Sequence, residues 1–218
     1  MRHGRRLLRF SLRALLLGVF AVAIVLAWSV ARIQRLQSAV DWVQNAGGSV
    51  YYDHESFDTG VVQREADWVA ETFDINLTHS ILEVSLADSE VTNVSELSAF
   101  TELSQLDLSR TGVSDLSPLS ELQHLDLLYL GETRVRDLAP LGNLHLLSWL
   151  YLQGTPITDL APLSTLTEMA RLDLSDTQVS NVEPLAHMKD LYELDLARTE
   201  VQDVLPLAGL MRLGELSL

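Results

Sequence analysis

Trp149, Arg171 and Glu193 recur at 22-residue intervals, and so do Tyr129, Tyr151, Asp173 and Asp195. Residues at one such spacing become neighbours if the chain adds one strand per interval, because parallel strands lie about 4.8 Å apart. An indole, a guanidinium and a carboxylate in that order make a cation–π contact continued as an ion pair. Leu127, Tyr129, Trp149 and Tyr151 would then meet as an exposed apolar and aromatic patch. Trp, Tyr and Arg are the side chains that anchor protein interfaces. Asp173 beside Asp195 brings two carboxylates together, which invites a cation such as Ca²⁺, but two carboxylates alone are a weak site. Solvated acids, or a basic partner, explain them as well. The expected partner-binding set is therefore Leu127, Tyr129, Trp149, Tyr151, Arg171, Asp173, Glu193 and Asp195. The bland alternative is that these residues only fill a sheet surface, or self-associate.

Catalysis has no comparable set. The chain contains no cysteine, which removes disulfides, thiolate catalysis and Cys-ligated metal centres. His124 and His145 open their intervals and His187 lies near the end of its own, and no Ser–His–Asp set, HExxH or glycine-rich phosphate loop occurs. No enzyme, cofactor or metal is expected. Tyr51, Tyr52, Asp53, His54 and Glu55 form a small polar cluster, but acids beside one histidine are common in loops. Charge is divided sharply. Seven of the 15 basic residues fall between Arg2 and Arg35, and no acid precedes Asp41, so the other eight face all 30 acids. Nucleic acid is a poor partner for such a body, because phosphate contacts need clustered Lys and Arg.

The elements that must position these residues come from repetition. From Thr101 the chain repeats every 22 residues without insertion: TELSQLDLSRTGVSDLSPLSEL, QHLDLLYLGETRVRDLAPLGNL, HLLSWLYLQGTPITDLAPLSTL, TEMARLDLSDTQVSNVEPLAHM, KDLYELDLARTEVQDVLPLAGL, and a partial MRLGELSL. ILEVSLADSEVTNVSELSAF is a degenerate unit upstream. Self-similarity at this period means a solenoid, each unit stacking on its neighbours. Leu106 and Leu108 alternate with polar residues as a short strand with one buried face. Leu103, Val113, Leu116, Leu119 and Leu122 complete an inward set. Thr111, recurring as Thr133, Thr155, Thr177 and Thr199, has a hydroxyl for the backbone at the bend after each strand. Asp115-Leu116-Ser117-Pro118-Leu119 and its counterparts read as a tight 3₁₀ turn, with Asp or Asn capping and Pro setting φ.

This pattern, LxxLxxLxLxxTxVxDLxPLxxL, resembles the internalin-like class of bacterial leucine-rich repeats over residues 81–218, with Thr where that family usually has Asn. The resemblance implies an α/β fold, a right-handed leucine-rich-repeat solenoid or horseshoe. Its concave side would be a parallel sheet and its convex side short 3₁₀ turns, and such surfaces are often used for protein recognition. It names no partner.

The N-terminal region reads differently. Residues 14–31 carry no charge, and 18 helical residues span about 27 Å, just enough for a hydrocarbon core. Five arginines precede the segment, Arg32 and Arg35 follow, and Trp28 sits where an interfacial aromatic would. The positive-inside rule predicts a single-pass protein of the cytoplasmic (inner) membrane, with N-terminus inside and repeats outside. Cleavage after Ser29-Val30-Ala31 as a signal peptide would make it secreted. The expected organisation is a basic cytoplasmic tail (1–13), a transmembrane helix or signal segment (14–31), an N-terminal cap (32–80) and the repeats (81–218). Within the cap, a helix over 32–46 should stop at Gly47-Gly48, followed by a strand at 49–52 and a second helix over 65–73. At the other end Leu213, Leu216 and Leu218 would leave an open face, the expectation being a longer array or a homo-oligomer through the uncapped C-terminal repeat.

Overall fold

The computed structural model describes residues 12–52 and 81–218. The second cap helix predicted at 65–73, and Asp53, His54 and Glu55, lie outside the described residues. A helix, α1 (Leu12–Asn45), is followed by eight strands: β1 (Ser49–Tyr52), β2 (Ile81–Ser85), β3 (Gln105–Asp107), β4 (Leu127–Tyr129), β5 (Trp149–Tyr151), β6 (Arg171–Asp173), β7 (Glu193–Asp195) and β8 (Glu215–Ser217). They form one sheet in chain order. β2 to β8 are parallel, and β1 closes the first edge antiparallel to β2.

Each repeat turns its leucines inward. In the unit from Gln123, Leu125, Leu128, Leu130, Val135, Leu138, Leu141 and Leu144 are at most 1% exposed. Burying one such side chain contributes about 1.5–3 kcal/mol, and the inward stripe runs unbroken from α1 to Leu210. The opposite side is made of 3₁₀ turns such as Ser117–Leu119, Ala139–Leu141 and Ala161–Thr165. Before each, an Asp or Asn carboxyl or amide oxygen accepts the backbone N–H two residues on. Examples are Asp115 from Ser117 (2.9 Å) and Asn181 from Glu183 (2.9 Å). That satisfies a donor the short helix leaves orphaned. The buried threonines act within their own unit: the hydroxyl of Thr133 donates to the carbonyl of Leu130 at 2.7 Å, and that of Thr155 to Leu152 at 2.5 Å.

Past each strand the ladder continues into a bend. The N–H of Glu132 donates to Gln153 O at 2.8 Å, and the residue doing so is left-handed at each such rung, Asp88, Arg110, Glu132, Gly154 and Asp176, as is Arg198 at the same position of its unit. Two pairs in this row are bidentate ion pairs, Arg110 with Asp88 and Arg198 with Asp176.

The N-terminal region is helical on both sides of Ala31. The helix expected over 32–46 and the transmembrane helix expected over 14–31 are one continuous 34-residue helix. No Gly or Pro separates Ala31 from Ala46, so nothing interrupts the backbone hydrogen bonding there. Among the described residues no helix is long and apolar enough to cross a membrane. The side chains of residues 12–18, 22, 25 and 26 lie outside the described ones. The C-terminal half of α1 joins the core through Ala39 and Val43, both fully buried.

Gly47 and Gly48 do end the helix, each for its own reason. The N–H of Gly47 donates to Gln44 O and that of Gly48 to Val43 O, with Gly47 at φ +82°, which is a Schellman closure. A Cβ on Gly48 would stand 2.5 Å from Ser85 O and 2.9 Å from Val43 Cγ1. That close approach lets the chain turn directly into β1 beside β2.

Candidate functional site: the open face of the sheet

Strand register places two rows side by side on the face away from the leucines. One runs Glu83, Gln105, Leu127, Trp149, Arg171, Glu193, Glu215; the other runs Ser85, Asp107, Tyr129, Tyr151, Asp173, Asp195, Ser217. All eight residues of the expected partner-binding set lie in them. The alternating pleat sends the middle residue of each three-residue strand into the core and its two neighbours outward.

Arg171 is the hub. Its guanidinium carbon lies 4.9 Å from the centre of the Trp149 ring and 5.4 Å from that of Tyr192. It donates to the hydroxyls of Tyr192 (2.8 Å) and Tyr151 (3.3 Å), and its Nε stands 2.6 Å from Glu193 Oε2. The Nε contact is one of charge rather than a directed hydrogen bond. The Tyr151 hydroxyl, above all, with Glu193 adding its charge, holds the guanidinium firmly protonated. Trp149 and Tyr192 remain exposed, at 36% and 37%.

Tyr129 and Tyr151 stack with ring centres 4.6 Å apart and planes 13° from parallel. Burial, then the neighbouring Tyr151 and Asp107, push the Tyr129 hydroxyl above its ordinary value. Leu127 does not belong to an exposed patch. Between Gln105 and the larger Trp149 in its row it is only 9% exposed.

The acids of the second row have a structural task. Oδ1 of Asp107, Asp173 and Asp195 accepts the backbone N–H two residues on, from Ser109, Ser175 and Ala197 at 2.8–2.9 Å, and Ser175 adds its hydroxyl to Asp173. These turns fix the carboxylates at the strand ends without neutralising their charge. Among the described residues no group of three His, Cys, Asp or Glu could hold a metal ion.

Two aromatics at this face escape a reading by row. Tyr192 precedes β7, in the column of Ser104, Asp126, Ser148 and Ala170, where a ring departs from the small and polar pattern. That departure was the available signal. Tyr51 pairs with Glu83 across the antiparallel edge and so extends the first row, at 51% exposure. No repeat register reaches it.

No protein-family model and no curated protein matches the chain in sequence. Solved structures match in fold. Internalin C2 of Listeria monocytogenes superposes with a TM-score of 0.61 at 33% identity, over 65% of this chain and 62% of its own. An internalin of the same organism, InlF, does so with a TM-score of 0.53 at 27% identity, over 70% of this chain and 54% of its own. The functional domain of Listeria InlJ, which includes a cysteine ladder, reaches 0.54 at 18% identity, over 63% of this chain and 29% of its own, and speaks to fold alone. The chain thus spans about three fifths or less of each of these three structures. With its parallel sheet and 3₁₀ turns, it has an internalin-like leucine-rich-repeat fold.

Proposed function

We propose that the chain is a non-enzymatic recognition module that binds a protein or peptide on the open face of its sheet, around Trp149, Tyr151, Arg171 and Tyr192. In this reading that face is the concave side of a right-handed horseshoe. The observation that carries it is an indole and a phenol left exposed around an arginine already held in place. The core has no need of them, and rigid aromatics with a fixed guanidinium are what interfaces use as anchors. The likeness to internalins supports the same reading at the level of fold. Pull-down with the full chain and with a Trp149→Ala/Tyr151→Ala variant tests it. Proteins retained by the first should be lost from the second while circular dichroism is unchanged; undiminished retention defeats the assignment.

A second reading, lateral self-association in the cell envelope, is favoured by the exposed Leu205 and Met211, at 77% and 91%. It predicts a mass that rises with concentration in light scattering, and a monomer at every concentration excludes it. For localisation we infer attachment to the cytoplasmic membrane through residues 14–31, with the repeats outside. Support comes from exposed Val19, Phe20, Ile24 and Trp28 on α1, and from Arg32, 5.9 Å from the Trp28 ring. Recovery in the soluble fraction of lysed cells would remove this inference.

A further inference from the structure

We infer that the partner of this face is a basic segment, its Lys or Arg side chains lodging beside the Tyr129–Tyr151 stack against the flanking carboxylates. This rests on the recognition reading above and names its chemistry. Arg171 is the only cation in the two rows, and Glu193 already answers its charge at 2.6 Å. Glu83, Asp107, Asp173, Asp195 and Glu215 remain on the same face, and none is in an ion pair among the described residues.

Asp107 and Asp173 bracket the tyrosine stack in register, one on either side. Both are held by their Oδ1 atoms at the ends of their strands, so the negative charge is preorganised rather than free to swing away. Aromatic faces attract cations through their ring quadrupoles, and fixed carboxylates beside them complete a site for a long cationic side chain. An acidic or phosphorylated partner would meet uncompensated repulsion on the same surface, since like charges across an interface are disfavoured. A purely apolar partner would leave those carboxylates desolvated and unpaired.

The test is calorimetric titration of the full chain with a nine-residue Lys/Arg peptide and with a Glu peptide of equal length. Three variants are compared: Asp107→Asn/Asp173→Asn/Asp195→Asn, Tyr129→Ala/Tyr151→Ala, and the control Glu121→Gln/Glu168→Gln/Glu200→Gln, whose residues are exposed and outside the two rows. Asparagine keeps Oδ1 as an acceptor, so the first variant changes charge and spares the turns. The Lys/Arg peptide should bind the parent chain, and each face variant should weaken it about tenfold or more, roughly one decade per 1.4 kcal/mol. The control should change it less than about twofold. Equal binding of the Glu peptide, or a control that weakens as much as the face variants, overturns the inference. Should the pull-down still depend on Trp149 and Tyr151 in that event, recognition by the face stands and only the basic character of its partner falls.

Discussion

The guanidinium of Arg171 is stacked 4.9 Å from the centre of the Trp149 ring, one strand away on the sheet. The two residues are 22 positions apart, and nothing but the repeat makes them neighbours. Their contact sets the shape of the face, because the same guanidinium is tied to Tyr151, Tyr192 and Glu193.

Arg171→Lys keeps the charge beside Glu193 but loses the planar fork that serves two tyrosine hydroxyls and a ring at once. It should lower stability by about 0.5–1 kcal/mol, a fall in Tm of about 1–4 °C for a chain of this size. Thermal unfolding followed by circular dichroism measures it. A variant as stable as the parent would mean that the cluster is held together without Arg171.

Thr155→Val fills nearly the same volume and removes the hydroxyl that serves Leu152 O inside the core, where Thr155 is 1% exposed. Leu152 O keeps the Thr155 N–H at 3.1 Å, so the loss is that of one buried hydroxyl hydrogen bond, about 0.5–1.5 kcal/mol. Thr199 makes the same bond at 2.7 Å in a half-buried setting, so water can replace its hydroxyl there. Urea unfolding should show Thr155→Val clearly destabilised and Thr199→Val much less so; equal losses would contradict burial as the cause.

The two glycines after α1 should separate by substitution. Gly47→Ala meets open space and suffers only the left-handed backbone, roughly 1–2 kcal/mol. Gly48→Ala has no unusual φ but drives a methyl into Ser85 O and Leu86 Cδ2, and backbone oxygen cannot step aside without moving β2. Gly48→Ala should therefore be the more destabilised of the two in thermal unfolding, and Gly47→Asn milder than Gly47→Ala because asparagine tolerates this conformation.

Acid should weaken the fold through three identifiable carboxylates. Arg110 and Arg198 hold Asp88 and Asp176 below the ordinary value of 3.8, and the hydroxyl and N–H of Ser117 do the same for Asp115. A depressed folded-state value means that the unfolded chain binds protons first. The stabilisation is complete above pH 3.8 and is lost as pH falls further, through the folded values. All three are on the surface, so salt should shrink the effect. Urea midpoints followed from pH 6 to pH 2, for the parent and for Asp88→Asn/Asp176→Asn, isolate the contribution; parallel curves would deny it.

Much of the repeat was legible residue by residue. Leu106, Leu128, Leu150, Leu172 and Leu194 are one position in a 22-residue frame, and all are buried to within 1%. Asp115 and its counterparts cap their turns as their type and spacing require. The row containing Trp149, Arg171 and Glu193 follows from the same frame. Asp173 and Asp195 were legible as neighbours, but their hydrogen bonds to Ser175 and Ala197 were not, and these account for their presence without a bound cation.

What the amino-acid order determined alone is whatever repetition enforces. A period without insertions admits one register, and that register decides which residues are inward and which share a row. Tertiary structure alone decided the rest. Leu127 is shielded although it faces outward, Tyr192 reaches Arg171 from outside the rows, and Tyr51 joins the face through an antiparallel edge. Each of these depends on side-chain volume, or on contact between segments that share no repeat, and such contacts are set by packing in three dimensions rather than by spacing along the chain.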